Sequence, residues 1–176
     1  MAKLVIRNAS VNDIPSIVRV SLTASTIEEA RGFSAPEWTT YLTPEELTKI
    51  WVEENRLKDG FEVVVAEKDE NVVGFIVFKQ EHDHFYIDNI DVTKNEQGKG
   101  IGKALVSHVE NIAIANGYAL MKTDTTENAE GISWKSYGFW TKMGYIDTGE
   151  RLPTKWDFKT IPFGKNLKCE GTVHTE

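Results

Sequence analysis

The sequence predicts an α/β domain with a mixed central sheet flanked by helices, and three observations carry that prediction. Strand-like and helix-like segments alternate along all 176 residues with no linker between them, which reads as a single domain over residues 1–176. Two runs rich in Val and Phe, 61–67 and 72–78, are joined only by the short polar turn 68–71 and read as an antiparallel hairpin. A further strand-like run, 119–125, is reached from the strand 85–92 through a long helix, a crossover that permits parallel pairing.

The first strand is expected at 4–7. Ser10 and Asn12 offer N-caps and Asp13 suits the first turn of a helix whose apolar face is Ile14, Ile17, Val18 and Leu22. Residues 25–41 are weaker, with Gly32 and Pro36. Thr43-Pro44-Glu45-Glu46 is a helix start, with Thr at the cap, Pro at the first position and Glu three after the cap. Leu47, Ile50 and Trp51 would line one face, and Asp59-Gly60 would end the helix. The hairpin and the strand 85–92 come next. The helix 101–116 carries Ile101, Leu105, Val109 and Ile112 on one stripe, and Asn116-Gly117 stops it. After 119–125 come a polar loop, a helix over about 133–143, and late strands near 145–151 and 156–163. There is no internal repeat and no low-complexity segment.

A chain of this length buries a substantial core. With 40% hydrophobic and 27% charged residues, its composition is that of a globular protein in water. No run approaches the roughly 18 apolar residues of a membrane span. The opening segment, from Met1 to Arg7, lacks the apolar core of a signal peptide. Cys169 is the single cysteine and has no partner for an internal disulfide, so a reducing cytoplasm is the expected compartment. The net charge of −7, from 20 basic and 27 acidic residues, argues against nucleic-acid binding, which needs clustered Lys and Arg. It favours a cationic substrate by long-range attraction, although acidity of this degree also serves solubility alone.

The most informative segment is Gln97-Gly98-Lys99-Gly100-Ile101-Gly102-Lys103, between the strand 85–92 and the long helix. Its glycines allow a tight turn and a close backbone approach to a ligand. The helix start adds unpaired N–H groups and the positive end of the dipole, which together suit a phosphate or pyrophosphate. The spacing lacks Gly-Lys-Ser/Thr, so there is no nucleotide-triphosphate loop. It reads Gly-x-Gly-x-Gly rather than Gly-x-Gly-x-x-Gly, which disfavours a dinucleotide-binding oxidoreductase. A glycine-rich helix start with no ligand is the remaining alternative.

Gln-x-x-Gly-x-Gly after a strand and before a helix resembles the acetyl-CoA pyrophosphate loop of the GNAT superfamily of N-acetyltransferases. Ile90-Asp91-Val92 resembles the family's Ile/Leu-x-Val before that loop. Asn128 and Trp140-Thr141-Lys142-Met143-Gly144-Tyr145 resemble the Asn and the aromatic-x-Lys-x-Gly-aromatic pattern further on. The opening Ile6-Arg7-Asn8-Ala9, with Asp13, and the order of elements extend the resemblance over nearly the whole chain.

The resemblance implies a GNAT-like fold in which the parallel strands splay apart, and acetyl-CoA as the acyl-donor cosubstrate. The loop amides of Gly98, Lys99, Gly100, Ile101, Gly102 and Lys103, following Gln97, would hold the pyrophosphate. The exposed backbone of Ile90, Asp91 and Val92 would pair with the pantetheine arm as an added strand. Asn128 would bond the arm through its amide, and Trp140 stands at a site position where the family carries a tyrosine. Asn128 also reads as a turn or cap residue, and lysines such as Lys99 and Lys103 are common at exposed helix starts.

The implied chemistry is direct acetyl transfer to a primary amine with no covalent enzyme intermediate. The Val92 N–H would face the developing oxyanion. Asp88, two residues before Ile90 and so expected on the same strand face, is the first candidate for the base. It also reads as a binder of a cationic substrate or as a turn residue. Glu81, His82 and His84 are rivals, although that run also reads as a solvated turn, and no metal site is expected from it. Trp140 cannot act as a practical acid; Tyr137, three residues earlier, is the first candidate acid to protonate the thiolate, ahead of Ser136 and Ser133. Packing roles for both aromatics, with water as the proton donor, stay open. The loop 127–133 is longer than the family pattern. The acceptor is a small amine or a protein amine, with no nucleic acid or membrane partner expected, in a monomer or homodimer. A catalytically idle acyl-CoA-binding or sensor module on the same fold is the alternative.

Overall fold

The computed structural model describes residues 3–26, 29, 60–155 and 157–167. The helix expected from Thr43, most of the segment 25–41, and Cys169 lie outside the described residues.

Eight strands form one mixed sheet in the order β1-β2-β3-β4-β5-β8-β6, with β7 paired to β8. They are β1 (Leu4–Asn8), β2 (Phe61–Lys68), β3 (Asn71–Gln80), β4 (Phe85–Val92), β5 (Leu120–Asn128), β6 (Ile146–Asp147), β7 (Leu152–Pro153) and β8 (Phe158–Asn166). Three α-helices are described: α1 (Ile14–Thr23), α2 (Ile101–Ala115) and α3 (Ser136–Lys142). The hairpin closes through Asp69 and Glu70, both at positive φ, between the paired Lys68 and Asn71. Two consecutive left-handed residues twist with the strands they join.

The sheet is covered on both faces, so β2 and β3 are apolar at successive positions rather than at alternate ones. Val63, Val65, Phe75 and Val77 pack with Ile14, Ile17, Val18 and Val20 of α1. Val64, Ala66, Ile76 and Phe78 face the other way, against Leu105, Val106 and Val109 of α2. Arg7 ties the first elements together. Its guanidinium donates to both Asp13 oxygens, at 2.8 and 2.9 Å, and to Glu67. Asp13 also accepts the Ser10 N–H at 2.7 Å, which fixes the entry to α1.

Two late elements are shorter than their patterns predict. The helix expected over 133–143 spans only Ser136–Lys142. Ser133 instead bridges back to Glu127, and the Trp134 N–H donates to the Thr126 carbonyl at 2.8 Å, so the sheet claims that backbone first. The strand expected near 145–151 is reduced to two residues, because the Asp147 carboxylate accepts the Gly149 N–H and turns the chain. Among the described residues no helix is long and apolar enough to cross a membrane.

Candidate active site

The site begins where two parallel strands part. β4 and β5 pair only at Phe85↔Met121 and Tyr86↔Lys122. The Thr123 hydroxyl then reaches the Ile87 carbonyl at 3.0 Å. Beyond that point β5 keeps its pairing to β8 as far as Asn128 while β4 stays with β3, so the sheet opens between them. A cleft of about 700 Å³ fills the opening. Ile90, Asp91 and Val92 of β4 line one wall, the glycine loop lines the end, and Trp134 to Met143 supply most of the other wall.

A β-bulge sets which groups of β4 face this cleft. Val77 pairs with Asn89 but the next residue, Phe78, pairs with Ile87, leaving Asp88 as the extra residue. Phe85 and Ile87 before the bulge, and Val92 after it, all enter the α2-side core, with Ile90 packed against it. The bulge therefore corrects the expectation that Asp88 and Ile90 share a face: the step between them crosses the change of parity. Asp88 is not among the cleft residues. It lies near Asp124, whose carboxyl is raised by burial and by the Asp88 charge and accepts the Tyr86 hydroxyl at 2.5 Å.

The backbone of β4 offers its free side to the cleft. The Thr93 N–H donates to Val73 of β3 at 2.9 Å. Strand alternation turns the polar groups of Val92 the other way. The Val92 carbonyl accepts the Gln97 amide at 2.8 Å, and the same amide reaches the Ala24 carbonyl at 2.6 Å. Gln97 thus clips the end of α1 to the end of β4 and shapes the cleft with its side chain.

The glycine loop supplies an anion seat. Gly98 and Gly100 have φ of +77° and +85°, and Gly100 is the N-cap of α2. The Ala104 N–H bonds the Gly100 carbonyl at 3.0 Å, which leaves the earlier N–H groups of the helix without intrahelical acceptors. Gly98, Gly100, Gly102 and Lys103 line the cleft; Lys99 and Ile101 do not. Ile101 is buried in the core. Lys99 pairs with Glu96 at 3.2 Å, and Lys68 pairs with the same carboxylate at 2.8 Å. The two lysines hold Glu96 below its usual pKa and offset its charge beside the loop. At Gly102 a side chain would meet the Phe139 ring at 3.2 Å, so glycine lets α2 and α3 close the end of the cleft together.

On the far wall the residues are Trp134, Lys135, Ser136, Gly138, Phe139, Lys142 and Met143. Ser136 and Thr125 share a hydroxyl–hydroxyl bond of 2.5 Å. The Lys135 ammonium lies over the Trp134 ring and donates to the Ala24 carbonyl at 2.9 Å, so the wall also touches the end of α1. Of these seven, the sequence offers Ser136 only as a lesser candidate acid and Lys142 and Met143 only as members of the family motif; Trp134, Lys135, Gly138 and Phe139 are not singled out. Helical spacing is the signal that finds four of the seven, since positions 135, 138, 139 and 142 fall on one face.

Besides Asp88, Lys99 and Ile101, three further expected residues are not among those lining the cleft. The Asn128 side chain accepts the N–H groups of Glu130 and Ile132, at 3.1 and 2.8 Å, and closes the turn after β5. Trp140 is 2% exposed and packs between Phe139 and Tyr145 in the core. The Tyr137 hydroxyl donates to Asp147 at 3.1 Å, and its ring packs edge-on against Phe163. That bond raises the Tyr137 pKa and makes it a weaker acid. Glu81, His82 and His84 belong to the turn before β4, where Glu81 pairs with Lys79 and His84 with Asp83. Among the described residues no three His, Cys, Asp or Glu converge as a metal site.

Asp91 does reach the cleft. It keeps some surface there and is enclosed elsewhere, and that desolvation pushes its carboxyl up to about 7 against hydrogen bonds from Ser21 and Asn89 and the charge of Lys135.

Residues 25–145 match the model of the acetyltransferase (GNAT) family. No curated protein sequence matches the chain. Among solved structures, the PaiA N-acetyltransferase of Thermoplasma acidophilum in complex with coenzyme A superposes with a TM-score of 0.70, at 17% identity over 94% of this chain and 99% of that one. The ribosomal-protein-S18-alanine N-acetyltransferase of Escherichia coli gives 0.66 at 13% identity, covering 99% and 100%. An aminoglycoside 6'-N-acetyltransferase complexed with coenzyme A gives 0.65 at 17%, covering 92% and 96%. At these identities the likeness is one of fold.

Proposed function

The chain belongs to the acetyltransferase (GNAT) family, and from that membership we propose that it transfers the acetyl group of acetyl-CoA to a primary amine. The observation that carries this reading is the opening of the glycine loop and the α2 start onto the cleft between β4 and β5. One end of that cleft suits a pyrophosphate, and its long wall offers unpaired strand backbone to an amide-bearing arm. The N–H groups at the start of α2, with Lys103, would hold the pyrophosphate. The backbone of Ile90 and Val92 would hold the pantetheine arm. The Val92 N–H would then stand where a thioester oxygen gains charge during attack.

An amine that attacks this carbonyl must first shed a proton. The carboxylate of Asp91 lines the cleft and suits a cationic acceptor. Small and protein-borne amines both meet that description. We read the chain as a single cytoplasmic domain acting as a monomer or homodimer, with a net charge unsuited to nucleic acid.

A second reading is favoured by one observation: among the described residues, no tyrosine lines the cleft. A chain without that acid would bind acyl-CoA without turning it over, as a sensor. Release of free CoA thiol, followed with a panel of small amines and N-terminal peptides, separates the two. The proposed function predicts amine-dependent thiol release and an acetylated product. Acetyl-CoA binding without release for any amine would favour the sensor.

A further inference from the structure

Resting on that reading of the cleft, we propose that the Asp91 carboxylate is the base that takes the proton from the incoming amine. Four placements support the assignment. Ile90 and Val92 send their side chains into the α2-side core, so alternation sends the Asp91 side chain to the α1 face. There the side chains of Ser21 on α1 and Asn89 on β4 lie beside it and favour its charged form. It lines the cleft in its own right and adjoins Val92, whose N–H faces the same space. An amine entering from the α1 side therefore meets the base beside the oxyanion donor.

Among the described residues, the charged and polar groups facing Asp91 come from three elements: Ser21 on α1, Asn89 on β4, and Lys135 on the segment before α3. Lys135 is itself engaged with the Ala24 carbonyl and with Glu29 at 3.4 Å. Enclosure outweighs these groups and leaves the carboxyl titrating close to neutrality, where a base can both accept and return a proton. Asp88 lacks this position: it is the extra residue of the bulge, lies near Asp124 and is not among the residues that line the cleft.

The step balances without a further reactant. Asp91 takes one proton from the ammonium form of the acceptor. The amine lone pair forms the N–C bond, and the C–S bond breaks with its electron pair leaving on sulfur. The nitrogen gives up its second proton as the amide forms and the thiolate gains one as CoA thiol. Asp91 returns its proton to solvent, so one proton is released per turnover.

The test is the pH–rate profile of the parent, Asp91→Asn and Asp88→Asn, with CoA affinity measured by calorimetry for each. Asp91→Asn should lower kcat by about 100-fold or more, the usual contribution of a positioned base. It should also lose the acidic limb centred near pH 7, with CoA affinity retained as evidence of an intact cleft. Asp88→Asn should keep that limb. Parent turnover with an undiminished Asp91→Asn, or a variant that raises only the KM for the amine and keeps the limb, overturns the assignment and leaves the function standing. A parent that acetylates no amine overturns the function and the assignment with it.

Discussion

The enclosure that raises the Asp91 carboxyl to about 7 also sets how the fold responds to pH. In the unfolded chain this carboxyl titrates near 3.8, so between the two values the folded state holds a proton that the unfolded state has lost. Stability from this group is present at the acid end and is lost as pH rises toward 7. Asp13 has the opposite sign. The Arg7 guanidinium and the Ser10 groups hold it well below the usual range, so its contribution is present above the ordinary aspartate pKa and is lost as pH falls through the depressed one. Asp91→Asn removes only the first effect. Its unfolding temperature, relative to the parent, should be several degrees more favourable at about pH 8 than at about pH 5. An equal difference at both pH values in thermal unfolding would show that the carboxyl titrates in the ordinary range. None of this was legible from the residue alone, because its enclosure depends on α1 and on the segment before α3, both distant in sequence.

The glycine loop was legible as an element because its requirements are local. A left-handed turn, a helix start and a preceding strand are all written within about twenty residues, and Gly98, Gly100 and Gly102 stand where that geometry needs them. The parity of β4 was not legible, since a bulge is decided by the register against β3 rather than by β4 itself. The cleft-lining face of α3 was not legible for a related reason. Stepping three residues back from Trp140 selects the face that packs into the core and toward β6, whereas the cleft takes positions 135, 138, 139 and 142. The consequence can be measured. Tyr137→Phe removes a hydroxyl that bonds Asp147 outside the cleft, so turnover should match the parent for every acceptor. The unfolding temperature should fall by at most a few degrees, because Arg151 still pairs with Asp147 at 2.9 Å. A kcat lowered by about ten-fold or more in Tyr137→Phe would return that hydroxyl to the role of acid.

At the scale of the whole molecule, the site follows from how the sheet is assembled. A hairpin-built half, β1 to β4, and a second half, β5 to β8, meet along a parallel pairing only two residues long. Each half satisfies its own backbone, so the divergence leaves the β4 edge facing a space wide enough for a flexible, amide-bearing chain. The alternation of strands and helices predicted the halves and their parallel contact. The length of that contact is set by the bulge and by the Thr123 bond to Ile87, which no pattern in either strand announces. The central claim, that this opening seats acyl-CoA with its pyrophosphate on the start of α2, is tested most directly by calorimetric titration of acetyl-CoA into the parent and Gly100→Glu. Gly100 has open space around it, so a glutamate there strains the left-handed turn at φ +85° and sets a carboxylate beside the anion seat, away from the core. The account predicts saturable binding by the parent and none by Gly100→Glu, with circular dichroism showing the variant folded. Unchanged affinity in the folded variant would contradict it.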